Sequence, residues 1–393
     1  MDYQFADRMS KTPRSFIRET LKVTECPDII SFAGGLPNPT LFPVHELAQV
    51  AKDVISDEGA AVLQYATTEG YLPLREWVAE RYSRRYDMSV SPDEILITHG
   101  SQQCLDLCGK IFIDKGTPVG IEEPGYLGAI QAFSLYEAGF VPVKLETDGP
   151  VLADVENAMK KKCRFFYGVP NSQNPSGLTW SESKRKDVAD IIRIHDSVFV
   201  EDDAYGEIRF DGDVSKPVKK HIPDQVVMNG SFSKIITPGM RMGWVCAPED
   251  VMNRLVTAKQ ATDLHSSILA QRIIFRYLSE YPIDSYIRKI TETYRKQCGC
   301  MINVIKKEFP DSVSYTIPDG GMFLWVTLPQ GCSSLDVFNK ALEKKVAVLP
   351  GIPFYTQGGG ENTIRLNFTN SSFEQIEEGI HRLSEVLNII TMK

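Results

Sequence analysis

The sequence predicts an α/β protein in which helices cover both faces of a mostly parallel sheet, followed by a smaller α+β domain. Short β-rich runs alternate with helical stretches through the middle of the 393-residue chain. This alternation is typical of strand–helix–strand units that build a parallel sheet. The pattern changes after about residue 290. The chain is longer than one ordinary domain and about right for two.

The β-rich runs predict where a ligand would bind. They are EILIT (94–98), PVGIE (118–122), RFFYGV (164–169), SVFVED (197–202), VVMNG (226–230) and MGWVCA (242–247). Ligands of such sheets bind beyond the carboxyl ends of the strands. We therefore expect the site residues to follow these runs directly.

The C-terminal part predicts a second, smaller domain. A long charged helix, IRKITETYRKQCGCMINVIKKEF, precedes the strand-like runs GMFLWVTL and TIRLNF and an amphipathic terminal helix. This order indicates a small α+β domain over residues 291–393. Residues 45–290 form the predicted large domain, and residues 1–44 are expected to pack with the small one.

Composition argues against several classes of function. The net charge is -8 and the pI is about 5.4, with no basic stripe, so nucleic acid and anionic membranes are not expected partners. The N-terminus lacks the apolar core of a signal peptide, and no apolar run is long enough to span a bilayer. Eight scattered cysteines without zinc or redox spacing predict no metal site and a reducing cytoplasm.

Two turns that follow predicted strands contain candidate cofactor-binding residues. In THGSQQ, a Gly-Ser-Gln turn that includes Ser101 and Gln102 opens a helix, and its backbone N–H groups suit a phosphate. In EEPGYLG, Tyr126 follows a Pro-Gly turn, where its ring can lie over a flat ligand. Taken singly, the two motifs are better explained by an ordinary glycine turn and a core aromatic side chain.

The next two strand ends contain amides and carboxylates. The loop VPNSQNPSG crowds three amide side chains, including Asn174, between two prolines, although an Asx-rich turn has the same composition. In VFVEDDAYGEI, Asp202 ends an apolar strand and Tyr205 follows three residues later. A buried carboxylate requires a cationic partner. Because no histidine cluster accompanies it, a protonated ligand nitrogen is the better partner.

The segment NGSFSKIITPGMRMGW contains a lysine whose neighbours suit a covalent cofactor. A lysine amine forms a Schiff base with an aldehyde, so Lys234 is the candidate catalyst. Ser231, Ser233 and Arg241 suit a phosphate, and the arginine helps to lower the pKa of the lysine.

One further cation lies in the C-terminal strand ENTIRLNF. Arg365 is costly to bury there unless it binds a carboxylate, with a structural salt bridge as the alternative. Together with a phosphate cradle, a stacking ring, a buried aspartate and a reactive lysine, it describes a pyridoxal-phosphate (PLP) site for amino acids.

At this point the sequence resembles the class I and II aminotransferases, of the fold of aspartate aminotransferase. The resemblance covers nearly the whole chain and is greatest to the 2-aminoadipate/kynurenine branch. Its motifs occur in the family's order: SFAGGLPNPTLFP, LQYATTEGYLPLR, THGSQQCLDL, EEPGY, QNPSG, EDDAYGE, GSFSKIITPGMRMGW, GGMFLW and TIRLNF. The resemblance implies the PLP-dependent transferase fold, with a mostly parallel seven-stranded sheet in the large domain and a smaller α+β domain.

The resemblance also implies a role for each residue around the cofactor ring. Lys234 holds PLP as a Schiff base and then moves the proton between the substrate and the cofactor. Asp202 pairs with the pyridine N–H, while Tyr205 and Asn174 hydrogen-bond the phenolic oxygen. Tyr126 stacks on the ring.

Other implied roles concern the phosphate and the subunit arrangement. The residues that resemble the phosphate cup are Ser101, Gln102, Ser231, Ser233 and Arg241. Tyr65 reaches the phosphate of the neighbouring subunit, so the resemblance implies a homodimer and predicts that a monomer is inactive.

The substrate is held on the far side of the cofactor in this resemblance. Arg365 and Asn174 bind the α-carboxylate, and the Gly35 region closes over it. Arg18, in the N-terminal helix, matches a residue that meets a distal carboxylate in the related branch, and Arg14 competes for that role. We expect this helix to bring Arg18 to acidic side chains and to withdraw it from aromatic ones.

The leading hypothesis is reversible transamination by a ping-pong mechanism, with glutamate and 2-oxoglutarate as one pair. The other partner is open among 2-aminoadipate, aromatic, branched-chain and aspartate-type amino acids. The alternative is another PLP reaction at the same site, namely β-elimination, decarboxylation or racemisation. A ligand-sensing module is less favoured, since family-like sequence begins by about residue 14, and no G-x-G-x-x-G motif supports a dinucleotide enzyme.

Overall fold

The computed structural model describes residues 3–11, 28–212 and 214–391. In this part of the chain, an eight-stranded sheet lies between two layers of helices, and a four-stranded sheet with its own helices follows it. None of the described helices combines the length and the hydropathy of a membrane-spanning segment.

The large sheet is mostly parallel and contains one strand more than the seven predicted. In spatial order its strands are β2 (Ile95–Thr98), β9 (Gly243–Cys246), β8 (Val226–Ser231), β7 (Val198–Asp202), β6 (Phe165–Gly168), β3 (Pro118–Glu123), β4 (Gly139–Glu146) and β5 (Gly149–Pro150). Strand β5 is two residues long and pairs antiparallel with the end of β4, which adds the eighth strand at the edge.

The strand directions bring the predicted site residues to one edge of this sheet. Strands β3, β6, β7 and β8 are mutually parallel. Strand β9 runs against both β8 and β2, so β2 has the same direction as β8. The carboxyl ends of these five strands therefore lie at the same edge of the sheet. The turn after Thr98 and the loops after β3, β6, β7 and β8 meet there.

Successive residues of each buried strand face different helix layers. Phe199 of β7 packs with one hydrophobic layer and Val200 packs with the other. The layer that contains Val200 also holds apolar residues of three helices, α4 (Ser101–Phe112), α5 (Leu127–Ser134) and α8 (Glu249–Asp263). Because side chains alternate along a strand, Glu201 lies on the same face of the sheet as Phe199, and Asp202 lies on the same face as Val200.

The other helices of the large sheet pack mainly in the layer that contains Phe199. They are α2 (Val44–Glu58), α3 (Leu72–Tyr86), α6 (Leu152–Lys160), α7 (Glu182–Ile194) and α9 (Ile268–Glu280). A short helix, α1 (Asp7–Lys11), precedes them in the chain.

The smaller sheet places Arg365 next to the large one. Its antiparallel strands, in spatial order, are β10 (Ser314–Tyr315), β11 (Phe323–Thr327), β14 (Thr363–Asn367) and β13 (Leu349–Pro350). Arg365 lies on β14, opposite Trp325 of β11, with Leu349 of β13 on its other side.

Three helices and one strand pair complete this part of the chain. The helices are α10 (Ile283–Glu308), α11 (Ser334–Glu343) and α12 (Phe373–Thr391). Strand β1 (Ile30–Ser31) pairs in parallel with β12 (Val346–Ala347). Helix α10 is continuous through residues 290 and 291, so the domain boundary predicted there falls inside a helix, and the three-part division of the chain stays a prediction.

Candidate active site

A cavity of about 380 Å³ opens where the carboxyl ends of the large sheet meet β14. Its walls come from both sheets and from the segment at residues 35–37. The lining residues are Gly35, Leu36, Pro37, Ser101, Gln102, Tyr126, Val169, Asn174, Asp202, Ala204, Tyr205, Ser231, Ser233, Lys234, Pro238, Arg241 and Arg365.

One end of the cavity has the structure of an anion-binding turn. Helix α4 begins at Ser101, so its first backbone N–H groups are free of helical partners and point out of its positive end. Gly100 precedes it with φ of 75°, and a Cβ there would lie 3.0 Å from Nη2 of Arg241. The turn and the guanidinium therefore share one small space, which suits a phosphate.

Two serines close this end of the cavity. Ser231 ends β8, and its hydroxyl accepts a hydrogen bond from the backbone N–H of Ser233 at 3.2 Å. Both side chains line the cavity and are largely buried. The sequence after β8 thus brings the serines to the side of the cavity that holds Arg241.

Lys234 lies at the centre of the cavity, in the turn after β8. Its Nζ donates a hydrogen bond of 3.3 Å to the carbonyl of Gly35 and lies 5.9 Å from the ring centroid of Tyr205. Burial, together with the nearby charges of Arg365 and Arg241, lowers the pKa of the lysine to about 8. A substantial fraction of this amine is therefore neutral, and nucleophilic, near physiological pH.

Asp202 is buried at the cavity floor with one oxygen satisfied and one open. Its Oδ2 accepts a hydrogen bond of 2.8 Å from the hydroxyl of Tyr167, whereas its Oδ1 has no hydrogen-bond partner among the residues that the structure describes. Burial raises the pKa of this carboxyl to about 6, so it is ionised at neutral pH. A buried, ionised oxygen without a partner requires a donor from a ligand, and a protonated ring nitrogen supplies one.

The aromatic side of the cavity is fixed by contacts between two turns. Tyr126 stands at the N-terminus of α5 with its hydroxyl pKa raised to about 12, mainly by burial. The side chain of Gln102 donates a 2.8 Å hydrogen bond to the carbonyl of Gly128. A Cβ at Gly128 would overlap both side chains, at 2.5 and 2.6 Å, so glycine permits their close packing.

The loop after β6 is held by buried polar side chains. Glu122 accepts hydrogen bonds from the backbone N–H of Val169 at 3.0 Å and from the indole of Trp180 at 3.0 Å. Gln173 donates to the carbonyl of Pro124 at 2.7 Å, which ties this loop to the turn before Tyr126. The loop is therefore stiff where it presents Asn174.

Arg365 lies on the wall opposite the phosphate-type turn. Its Nη1 donates to Oδ1 of Asn174 at 2.9 Å, and its Nη2 donates to the carbonyl of Ala33 at 2.7 Å. Its guanidinium carbon lies 4.3 Å from the ring centroid of Phe323. Burial lowers the pKa of Arg365 to about 10, and no group in the described part of the chain hydrogen-bonds its buried Nε.

No carboxylate within residues 3–11, 28–212 and 214–391 forms an ion pair with Arg365. A buried guanidinium of this kind is stabilised by an incoming carboxylate, which arginine binds in a bidentate manner.

Among the predicted site residues that the structure describes, all except Tyr65 line this cavity. Tyr65 does not, because its ring is 79% exposed and packs edge-on against His265 at 5.8 Å. Arg18 and its competitor Arg14 lie outside the described residues. Tyr205 lines the cavity, and its hydroxyl pKa is raised by burial.

Sequence reasoning missed the support beneath these residues. Tyr167 donates to Asp202 from within an apolar strand, where a tyrosine is indistinguishable from a core residue. The sequence feature that could have identified Tyr167 is its position as the last polar side chain before the loop that begins at Val169. Glu122 was missed for a similar reason, since the sequence does not distinguish it from Glu123, the adjacent acid that ends β3.

Comparison with known proteins agrees with this geometry. The family described as "Aminotransferase class I and II" matches residues 28–383. An aromatic-amino-acid aminotransferase of Thermococcus litoralis is 40% identical over 98% of this chain and 95% of its own length. A 2-aminoadipate transaminase of Thermus thermophilus is 41% identical over 98% of this chain and 96% of its own length.

A solved structure has the same fold over nearly the whole chain. It is the α-aminoadipate aminotransferase LysN of Thermus thermophilus, complexed with N-(5'-phosphopyridoxyl)-L-leucine. It covers 98% of this chain and 97% of its own, with 40% identity and a TM-score of 0.92. The ligand of that enzyme is an amino acid joined to a PLP-derived group.

The residues around the cavity fit pyridoxal phosphate. The open Oδ1 of Asp202 suits a pyridine N–H, and the N-terminus of α4 with Arg241 suits the phosphate. Lys234, with its lowered pKa, suits the aldehyde. From this fit and from its relatives, the chain is a PLP-dependent enzyme that belongs to the class I and II aminotransferases, with the fold of aspartate aminotransferase.

Proposed function

We propose that the protein catalyses reversible transamination between an L-amino acid and a 2-oxo acid by a ping-pong mechanism, with glutamate and 2-oxoglutarate as one pair. One observation carries this proposal. Lys234, an amine with a lowered pKa, and Arg365, a buried guanidinium, line one cavity, and the described residues offer neither of them a carboxylate. The amine of an amino acid can replace that of Lys234 on the cofactor aldehyde while its carboxylate pairs with Arg365.

Lys234 is the proposed covalent anchor and proton carrier. Bound PLP supplies an electron sink that stabilises the negative charge left when the substrate loses its α-proton. The amine of Lys234 holds the cofactor until a substrate amine displaces it, and it then takes the α-proton as a general base. A positioned base of this kind contributes about 10²–10⁴ in rate.

The proposed cofactor contacts divide the cavity into three parts. Asp202 keeps the ring nitrogen protonated, and Tyr126 stacks on the ring. Tyr205 and Asn174 hydrogen-bond the phenolic oxygen. The phosphate cup consists of Ser101, Gln102, Ser231, Ser233 and Arg241.

The substrate carboxylate is proposed to bind Arg365 and Asn174. These two side chains are already hydrogen-bonded to each other at 2.9 Å, which fixes the guanidinium before the substrate arrives. Gly35 lies beside them, and a Cβ there would be 3.3 Å from Phe323 and 4.0 Å from Nη2 of Arg365. The Gly35 segment therefore closes that side of the substrate.

We also propose that the active unit is a homodimer. Tyr65 lies outside the cavity of its own chain and is strongly exposed, together with Leu63 and Leu264 nearby. Exposed apolar side chains in one region are typical of a protein interface. In the proposed dimer, Tyr65 of one subunit reaches the phosphate of the other.

The names of the relatives direct the choice of substrates. One relative is an aromatic-amino-acid aminotransferase and another a 2-aminoadipate transaminase, so we propose aromatic amino acids and 2-aminoadipate as donors beside glutamate. The prediction that Arg18 meets a distal carboxylate belongs to this proposal. Arg18→Ala should lower the efficiency with 2-oxoglutarate and leave that with aromatic 2-oxo acids nearly unchanged; equal efficiencies before and after the change would refute the role.

A half-reaction tests the proposed chemistry directly. Holoenzyme is mixed with glutamate in the absence of any 2-oxo acid. Transamination yields one 2-oxoglutarate and one pyridoxamine phosphate per site and then stops. Addition of an aromatic 2-oxo acid restores the aldehyde form of the cofactor.

The alternative PLP reactions give different products in the same assay. With serine, whose Cβ hydroxyl can leave as water, continuous release of ammonia and pyruvate indicates β-elimination. With glutamate, release of carbon dioxide indicates decarboxylation, and appearance of the D-amino acid indicates racemisation. Any of these, without formation of pyridoxamine phosphate, would overturn the proposal.

A further inference from the structure

A hydrogen-bonded network of four side chains, centred on the buried Lys259, lies directly beneath the predicted phosphate-binding turn. The Nζ of Lys259 donates to Oε1 of Gln103 at 2.9 Å and to Oδ1 of Asp263 at 2.8 Å. Gln103 in turn donates to Oδ2 of Asp263 at 2.7 Å. A ring nitrogen of His99 lies 2.9 Å from the same Oδ2.

This network reaches the backbone of the turn itself. The Oε1 of Gln103 also accepts a hydrogen bond from the backbone N–H of His99 at 2.9 Å. His99 is the residue before Gly100, whose φ of 75° sets the direction in which α4 begins. The amide of Gln103 is thus fixed at both ends, by Lys259 and Asp263 on one side and by the turn on the other.

The burial of Lys259 calls for an explanation. Its side chain has 0% exposure, whereas that of Asp263 is 25% exposed. A buried lysine costs free energy even when it is paired, and a well-packed apolar residue at the same place is often no less stable. Holding the helices together does not require this pair, because a second contact already joins α4 and α8.

We propose that Lys259 and Asp263 are positioning residues that fix the Thr98–Ser101 turn in the shape that binds the cofactor phosphate. They act through Gln103 and touch neither the cofactor nor the substrate. The inference rests on the assignment of that turn to the phosphate in the proposed function. It extends the proposed function, because it states that the Lys259–Asp263 ion pair on α8 affects the affinity for the cofactor.

The second contact between the two helices supplies a matched control. Lys110 donates to Asp106 at 2.8 Å within α4 and to the hydroxyl of Thr262 on α8 at 2.7 Å. It is also a lysine with an aspartate four residues away, but it lies at the far end of α4 from the turn. Lys110→Met therefore removes an equivalent ion pair without changing the support of the turn.

The test compares two cofactors that differ only in the phosphate. Apoenzyme is titrated with pyridoxal phosphate and separately with pyridoxal, and the dissociation constants are taken from the visible absorbance of the lysine-bound form. Lys259→Met should weaken binding of pyridoxal phosphate by about 10-fold or more and change binding of pyridoxal by less than about 2-fold. Lys110→Met should leave both constants within about 2-fold of the wild type.

Each other outcome is decisive. Unchanged affinity for pyridoxal phosphate, or an equal loss for both compounds, would overturn the positioning role. Asp263→Asn, which keeps the side-chain volume, provides a second variant if Lys259→Met does not fold. The affinities of the wild type for the two compounds test the proposed phosphate cup separately from the positioning role. If it binds pyridoxal as tightly as pyridoxal phosphate, the phosphate cup itself is wrongly assigned.

Discussion

Strand β7 directs Glu201 and Asp202 to opposite faces of the large sheet, and each carboxylate has a buried lysine near it. On the face away from the cavity, Glu201 accepts hydrogen bonds of 2.9 Å from the backbone N–H groups of Val218 and Lys219. The Nζ of Lys219 donates to two backbone carbonyls at 2.9 and 3.0 Å. On the cavity face, Asp202 keeps an oxygen without a partner among the described residues, and Lys234 donates one long hydrogen bond, of 3.3 Å, to the carbonyl of Gly35.

The arginines of the two regions differ in the same way. Arg185, fully buried behind the loop after β6, donates to the carbonyls of Trp180, Pro170 and Lys216 and to the side chain of Asn171. Arg365 has an Nε without a partner among the described residues. Burial alone therefore does not identify a site residue. Buried charges with filled hydrogen-bonding capacity are typical of structural roles, whereas an unpartnered one beside a cavity is a candidate for ligand binding.

The lysines should give the largest contrast. Lys234→Ala removes the covalent anchor and the base, so kcat should fall by at least about 10²-fold. Lys219→Met should keep kcat but lower the free energy of unfolding by about 1–3 kcal/mol, because two buried carbonyls lose their donor. Steady-state rates and urea denaturation of both variants provide the measurement. Full activity in Lys234→Ala would remove the basis of the comparison.

The carboxylates should give the next largest contrast. Asp202→Asn takes away the charge that keeps the ring nitrogen protonated, and we expect kcat to fall by about 10²–10³-fold. Glu201→Gln places an amide group against a backbone N–H and should cost about 1–3 kcal/mol of stability with little change in kcat. The same two assays measure both effects. If the two variants lost activity equally, the open oxygen of Asp202 would have no special role.

Arg365 should affect substrate binding more than the chemical step. Arg365→Met removes a charged hydrogen-bonding partner of the α-carboxylate, worth about 1.5–3 kcal/mol, and the KM of every 2-oxo acid should rise by about 10–100-fold. The α-carboxylate is common to all substrates, so aromatic and acidic 2-oxo acids should be affected alike. A loss confined to acidic 2-oxo acids would place Arg365 at the distal end of the substrate instead.

The smallest expected effect is a shift in a pH profile. Only the neutral amine adds to an aldehyde, so pyridoxal should react with apoenzyme half-maximally near pH 8, the lowered pKa of Lys234, and faster above it. Burial is the main cause and the charge of Arg365 the second, so Arg365→Met should raise the midpoint. The rate of the visible absorbance change measures it. A midpoint that falls in this variant would contradict the electrostatic account.

Much of the cavity is predictable from the sequence because parallel strands bring their carboxyl ends to one edge. Ser101, Asp202 and Lys234 are far apart in the chain, but each directly follows a strand that has the same direction. Arg365 was predictable for another reason, since a cation in an apolar strand is unfavourable unless it binds something.

The parts that were not predictable depend on tertiary contacts. Tyr167 and Lys259 resemble a core aromatic and a solvent-facing helix lysine in the sequence, and only the packing of β6 against β7 and of α8 against α4 shows their partners. The added strand β5 is two residues long and forms only because β4 lies beside it. The role proposed for Tyr65 requires a second subunit, which one chain does not contain.

The central claim is that charged groups on the cavity face of the large sheet lack protein hydrogen-bond partners among the described residues, whereas those on the opposite face have them. Borohydride reduction of the holoenzyme, followed by peptide mapping, tests it most directly, because reduction fixes the cofactor permanently to the lysine that holds it. We predict that the added mass lies on Lys234 and that Lys219 remains unmodified. Cofactor mass on any lysine other than Lys234 would contradict the account.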